Sequence, residues 1–438
     1  MNDEILRRRD MRADLTFTID PDDAKDFDDA LSFMEQEDGT YLIGVHIADV
    51  THYVPIGSDI DREAYELGTS TYLVDRVLPM LPERLCNDLC SLRPHEDKLC
   101  MSVVFTIGRD ARVLKHKVCR TVIHSDYRLT YHQAQALLDG GEGDAELIHA
   151  LHELNFLAKT MRRQRMAHGA LDIEQEQTHF TLDEHGHPTD IWFETMTDAN
   201  HLIEEFMLLA NRTVATQVGL TGKEFVYRVH DKPDAMKMAA LERFKHRVGE
   251  RLPAATIELL TIRAMAKAVY STHNIGHYGL AFDYYTHFTS PIRRYPDMMV
   301  HRLVARYILG ERGKTMDIDL EEACDHCSAM EQAAAMAERD SVKDYQMLWL
   351  QDHINEEFDG IITGVTDFGF FVNLNETHCE GLVPLRTLGL GEHWQYDERQ
   401  FCLRSRASHR RYTLGDSVRV KLVRADLEMR QIDFELVE

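Results

Sequence analysis

At 438 residues the chain exceeds one ordinary hydrophobic core and is expected to divide into two or three compact units. Hydrophobic residues make up 44% with no low-complexity tract, no apolar run long enough for a bilayer and a polar, charged start; these exclude a membrane protein and point to the cytoplasm. The net charge of −25 excludes a protein that coats nucleic acid through a uniformly basic face.

Local charge departs from that total. Arginines cluster at Arg162, Arg163 and Arg165, at Arg293 and Arg294, and at Arg404, Arg406, Arg410 and Arg411. Such stripes suit either a protein that guides a polyanion along a defined path or an acidic protein with solvated patches. The eight cysteines lack the spacing of a disulfide framework. Cys324 and Cys327 form a CxxC with no second pair, and read as two reduced thiols within a helix.

In chain order, Leu15 to Ile19 alternates apolar and polar residues and predicts a half-buried strand, ended by Asp20-Pro21. Ala30 to Met34, a turn at Asp38-Gly39 and the apolar run Tyr41 to Val50 predict a hairpin into a buried strand. The acidic stretch Asp20 to Asp29 is then a loop tied at both ends to strands. Met101 to Ile107 is the clearest strand signal that follows. Helices take over later. Asp198 can cap one carrying Leu202, Phe206, Leu209 and Ala210 on one face, and Thr261 to Tyr270 is a second. A third follows Pro296, with Val300, Leu303, Val304, Tyr307 and Ile308 apolar and Gly310 to close it. Glu321 to Leu350 predicts one or two long helices. Short alternating segments with glycine punctuation from Phe358 onward predict a small β-barrel, and place a domain boundary near residue 355.

Two stretches carry chemistry. The first is the loop with Asp20, Asp26, Asp28 and Asp29. Carboxylates crowded this closely repel one another unless cations neutralise them, and hard oxygen donors favour magnesium. Two such ions about 4 Å apart can activate water and stabilise the leaving oxygen of a phosphodiester. An EF-hand calcium loop starting at Asp20 fits less well, because Ala24 and Lys25 stand where a ligand and a glycine are wanted. A solvated acidic turn is the plainer alternative. The second stretch is His287 to Asp297, in which Pro291 and Pro296 stiffen the backbone around Arg293 and Arg294 just before a helix. Guanidinium forks beside a helix N-terminus suit a phosphate, while structural salt bridges would use the same residues.

These stretches resemble the signature motifs of the ribonuclease II catalytic (RNB) domain, the family of ribonuclease II and ribonuclease R, with the ribonuclease R branch closer. The similarity runs in family order through Tyr72-Leu73 and Val77 to Arg84, His124 to Tyr131, Leu202 to Asn211, Phe225 to His230 and Asn274 to Leu280. It implies an α+β fold: a mixed α/β catalytic domain over 1–355, followed over 356–438 by an OB-fold barrel of the ribosomal protein S-one type. The barrel resemblance is carried by Phe358 to Val365, Phe368 to Val372 and Glu380 to Val383. The activity implied is 3′→5′ exoribonucleolytic release of nucleoside 5′-monophosphates from single-stranded RNA with magnesium or manganese, by a monomer with no obligate protein partner. The resemblance assigns Asp20, Asp26, Asp28 and Asp29 to metal binding, Asp28 and Asp29 also to catalysis, and Arg293 and Tyr131 to the scissile phosphate. Tyr72 is implied to stack on terminal bases and Glu204 to lie near the terminal ribose, with Arg294, Phe368 and Phe370 as further RNA contacts.

The chain also departs from the family pattern. The resemblance predicts upstream cold-shock-type OB domains and a basic tail that this sequence lacks, and a longer segment between His230 and Thr261. Val74, Pro384 and Arg386 replace residues common in the relatives. These departures leave open an RNA-binding adaptor with a weak active site, and a third reading is a metal-dependent phosphodiesterase of DNA or small nucleotides, indifferent to the 2′-hydroxyl.

Overall fold

The computed structural model describes residues 2–171, 176–234, 236, 239, 265–389, 393–397 and 402–437. Much of the interval between His230 and Thr261, singled out above for its length, lies outside them. Alternation in the first hundred residues builds strands β1 (Arg9–Asp10), β2 (Thr16–Asp20), β3 (Asp29–Glu35) and β4 (Tyr41–Ala48). A short hairpin of β5 (Thr71–Tyr72) and β6 (Val77–Leu78) precedes β7 (Asp97–Ile107), β8 (Val113–His124) and β9 (Tyr127–Thr130). Seven of these form one sheet in the order β1-β8-β7-β4-β3-β2-β9. Pairing is antiparallel except at the two edges, where β1 runs parallel to β8 and β9 parallel to β2. Phe17, Leu31, Ile43, Val45 and Phe105 are wholly buried, so the inner strands are sandwiched as their apolar runs require.

The register positions the acidic loop. Asp20 ends β2 and pairs with Thr130 of β9, whereas Asp29 opens β3 and pairs with Ile47 of β4. The loop between them leaves and re-enters adjacent strands, which holds its carboxylates at one end of the sheet. Helices Ala145–Ala167 and Asp198–Gly219 pack on each other and against β3 and β4. The second starts from a Thr197–Asn200 capping box, one residue before the predicted Asp198 cap.

Met265 to Ala268 are irregular, and Val269–Ser271 forms β13, paired with β12 (Tyr227–Val229). The helix expected over Thr261 to Tyr270 is therefore corrected within its described part. Tyr270 and Val269 favour a pleated edge, and the Tyr270 amide is satisfied by Ser328 Oγ at 2.9 Å. A hairpin not foreseen from sequence, β10 (Gln177–Leu182) with β11 (Pro188–Glu194), leans toward the C-terminal domain.

Helix Tyr295–Tyr307 carries the predicted first-turn proline, and Leu320–Gln351 is one continuous helix. Beyond it, β14 (Glu357–Val365), β15 (Gly369–Leu374) and β16 (Glu380–Pro384) lead to a small sheet of β17 (Trp394–Asp397), β18 (Cys402–Ser405) and β19 (Arg411–Thr413). The strands β20 (Ser417–Asp426) and β21 (Gln431–Leu436) then close the barrel β14-β15-β16-β21-β20. Its core includes Ile191 from β11 and Leu350 from the long helix, so both domains contribute to one apolar cluster. Among the described residues no helix is long and apolar enough to cross a membrane.

The turn before β15 separates the barrel phenylalanines. Phe370 is 0% exposed, with its ring centroid 5.1 Å from Tyr412, whereas Phe368 is 54% exposed in the turn before β15. A buried ring offers no face to a base, which corrects the expectation of RNA contact by Phe370. Phe370→Ala is expected to cost roughly 3–5 kcal/mol in denaturant unfolding of the barrel. Phe368→Ala should stay within about 0.5 kcal/mol.

Candidate active site

The acidic loop is fastened from outside itself. Ser91 Oγ accepts from the Phe27 amide at 3.0 Å and donates to the Lys25 carbonyl at 2.7 Å, and the Leu92 amide donates to Phe27 O. Ala48 N–H donates to Asp28 O at 2.8 Å. Arg128 donates to the carbonyls of Pro21 and Asp22 and lies 5.3 Å from the Phe27 ring centroid. With its backbone used in this way, the loop presents its carboxylates in a set arrangement.

The second segment meets the first at one hydrogen bond. Ile292 N–H donates to Asp28 Oδ1 at 2.8 Å, which brings Arg293 Nε to 3.7 Å from Asp28 Oδ2. That separation allows attraction without a hydrogen bond. The Arg293 side chain is 44% exposed and bonds Ser290 Oγ at 3.1 Å, so part of its guanidinium faces outward. Arg294 differs. It makes two bonds to buried Asp297, at 2.9 and 2.8 Å, while Asp297 also accepts from the Ser290 amide. Its expected RNA contact is thus at odds with a side chain already committed to holding the turn.

Tyr72 O–H donates to Asp26 Oδ2 at 3.2 Å, which places this exposed ring at the mouth of the loop. Its backbone N–H donates to Glu338 Oε1 at 2.8 Å, a carboxylate of the long helix that sequence reasoning missed. Tyr131 opens a helix capped by Thr130 and lies close enough to Asp29 and Asp20 to feel their charge. Burial, then those carboxylates, raises its phenol pKa, so it remains an O–H donor. Glu204 lies elsewhere. Together with Arg162, Arg165 and His201 it lines a cavity of about 1010 Å³ whose walls include neither the aspartates nor Arg293. Burial pushes its carboxyl up, but the His201 hydrogen bond and the two arginines bring it below the usual range. Its neighbour Glu205 is buried against Arg165, so neither is a plain solvated helix edge. In the small sheet beside the barrel, Arg404 pairs opposite Arg411 across β18 and β19, and both are exposed with Arg406 and Arg410.

Burial makes the carboxylates of the loop costly to ionise. Burial, then Asp29, raises Asp20 to about 8 against the pull of Thr18 and Arg128. Burial raises Asp29 to about 7 against Arg293 and Arg294. Asp28 is also raised by burial, opposed by Arg293 and the Ile292 amide. Asp20 Oδ2 and Asp28 Oδ2 are buried with no hydrogen-bond partner. Such oxygens carry a desolvation cost that a hard cation would repay. Among the described residues no three carboxylate, imidazole or thiol groups converge as a ready cage. The eight cysteines are free and buried.

Fold and site define a two-domain protein that sets carboxylates and an outward arginine at one end of a mixed sheet and attaches an OB barrel. Comparison with known proteins places it. The RNB domain matches residues 8–310 and the S1 RNA binding domain residues 351–436. The chain is 40% identical to ribonuclease R of Aquifex aeolicus, over 100% of this chain and 66% of that protein. It is 38% identical to ribonuclease R 1 of Lactococcus lactis, over 99% of this chain and 56% of that one. The structure of Mycoplasma genitalium RNase R in complex with ribose-methylated single-stranded RNA is similar at a TM-score of 0.91 and 28% identity, covering 98% of this chain and 72% of that one. The chain belongs to the RNB-domain family that includes ribonuclease R. It spans 56 to 66% of the length of the curated relatives just named.

The raised carboxyls fix a sign. Folded values of about 8 for Asp20 and about 7 for Asp29, above the ordinary 3.8, mean that the folded state holds more protons between these limits. Their contribution to stability therefore falls as pH rises through that window. A divalent cation held by these oxygens would need them deprotonated, so any stabilisation it gives would grow over the same range. Thermal melts in EDTA and in magnesium at pH 5 and pH 8 should show the larger magnesium gain at pH 8, and Asp20→Asn should shrink that difference.

Proposed function

We propose that the chain is a 3′→5′ exoribonuclease that hydrolyses single-stranded RNA to nucleoside 5′-monophosphates with magnesium or manganese. The observation that carries this reading is the pair of buried oxygens on Asp20 and Asp28 that lack a hydrogen-bond partner, the second of them 3.7 Å from the half-exposed Arg293. The family relatives, which include an RNase R bound to single-stranded RNA, support the choice of polymer. We further take the working unit to be a monomer of the cytoplasm with no obligate protein partner.

In this scheme the strand reaches the site past Phe368 and the exposed arginines of the small sheet β17-β18-β19, where stacking and phosphate attraction act on any sequence. Tyr72 stacks on a terminal base, with its hydroxyl anchored on Asp26. Arg293 holds a non-bridging oxygen of the last phosphodiester and offsets the charge that grows there as water attacks phosphorus. Tyr131, kept protonated, donates to the same phosphoryl group. Cleavage of the P–O3′ bond leaves the phosphate on the released nucleotide, and the departing 3′-oxygen takes a proton. Asp20 and Asp28, with Asp26 and Asp29 beside them, would hold magnesium or manganese, which would supply Lewis acidity at the phosphoryl group. Arg294 serves by fixing the turn through Asp297. Glu204 belongs to a separate arginine-lined cavity, where its role is contact with RNA outside the reacting phosphate.

The test uses 5′-labelled single-stranded RNA with magnesium or with EDTA. A ladder shortening from the 3′ end, dependent on metal and lost in Asp28→Asn, is the expected result. RNA that shifts in a gel but stays uncut would replace this reading with that of an RNA-binding adaptor.

A further inference from the structure

Behind the arginine turn lies a buried ionic group that the scheme above does not use. Asp61, in helix Asp59–Leu67, accepts from Tyr295 O–H at 3.0 Å and from Arg302 Nη2 at 2.6 Å through one oxygen. Its other oxygen accepts from the Gly57 amide at 2.7 Å. Arg302 donates to Tyr295 Oη at 3.1 Å and to the Val54 carbonyl at 3.2 Å. All three side chains are buried, and Arg302 Nε has no partner. A buried ion pair of this kind seldom adds net stability over an apolar packing, and here it also strands a donor. Its effect is directional: it fixes where the first residue of helix Tyr295–Tyr307 can sit.

From Tyr295 the restraint reaches the active site through backbone. Tyr295 N–H donates to Gly68 O at 2.9 Å, and the Thr69–Arg294 bridge continues the contact. The Arg293 carbonyl then accepts from the Ser70 amide at 2.9 Å and from Thr69 Oγ1 at 3.0 Å. Gly68 has φ +69°, and a Cβ there would come within 2.7 Å of Met330 Cβ, so the strap 68–70 runs pressed against the long helix. The next two residues are the β5 strand that carries Tyr72. Arg293 is thus gripped on one side by Asp28, through Ile292, and on the other by a strap whose far end is tied to Asp61.

We infer that Asp61, Tyr295 and Arg302 form a positioning unit that sets Arg293 relative to Asp28 through the strap 68–70. The inference rests on the exoribonuclease reading for its rate consequence, but not for its mechanical one. A displacement of Arg293 by a fraction of an ångström would lower the rate of cleavage while leaving most RNA contacts untouched.

Tyr295→Phe removes one hydroxyl and keeps the ring against Tyr65, which makes it the least disruptive probe. Single-turnover cleavage with saturating protein should slow about tenfold in Tyr295→Phe relative to wild type. In an Arg293→Lys background the same change should matter by less than about twofold, because the residue being positioned is already lost. Equal slowing in both backgrounds, or none in either, overturns the inference. Hydrogen exchange supplies an arm free of activity. The Ser70 and Tyr295 amides should exchange faster together in Tyr295→Phe, with β3, β4 and β7 unchanged. Unchanged protection at Ser70 also overturns it. An inactive wild type would instead sink the exoribonuclease reading and leave the exchange arm to decide this one.

Discussion

The hydrogen bond from Ile292 N–H to Asp28 Oδ1 joins two segments 264 residues apart, and the site exists because of it. On one side stands a loop whose strands β2 and β3 are neighbours in the sheet. On the other stands a turn stiffened by Pro291 and Pro296 and locked by Arg294 to Asp297. Each is a local solution that its own sequence supports. The bond between them turns two local features into one geometry, with a carboxylate pair beneath a guanidinium.

That geometry carries a cost in the folded protein. Burial lifts Asp20, Asp28 and Asp29 above the ordinary carboxylate range, and oxygens of Asp20 and Asp28 lack partners. A core shaped for stability alone would avoid such groups. Two other buried acids are satisfied: Asp297 receives Arg294 and an amide, and burial of Asp49 is outweighed by Arg120 and Arg8, which hold it below the usual range. In the proposed scheme this contrast is the difference between acids that hold the fold and acids that would hold a cation.

Much of this was legible in the sequence. The alternation of Leu15 to Ile19 and the turn at Asp38-Gly39 place the acidic loop between strands, and Pro296 marks the start of the helix behind the arginines. Glycine punctuation after Phe358 marks the barrel. What sequence could not rank was which member of a pair faces out. Arg293 and Arg294 are adjacent, and their fates diverge because Asp297 is one helical turn from Arg294. That spacing was a usable signal. Phe368 and Phe370 share one strand parity, yet the turn before β15 swings Phe368 into solvent while Phe370 enters the core. The Glu338 bond to Tyr72 and the strap at 68–70 depend on contacts more than two hundred residues apart, which no local pattern records. Val269 and Tyr270, the end of the helix expected over Thr261 to Tyr270, pair instead with β12, where tertiary context overrides the local pattern.

The most direct test of this account is to grow crystals with manganese and a short non-cleavable RNA and to collect anomalous diffraction at the manganese edge. The account predicts anomalous density against the carboxylates of Asp20 and Asp28, with the terminal phosphate between that density and Arg293. Manganese bound only at surface acids, or RNA lying away from Arg293, would contradict it.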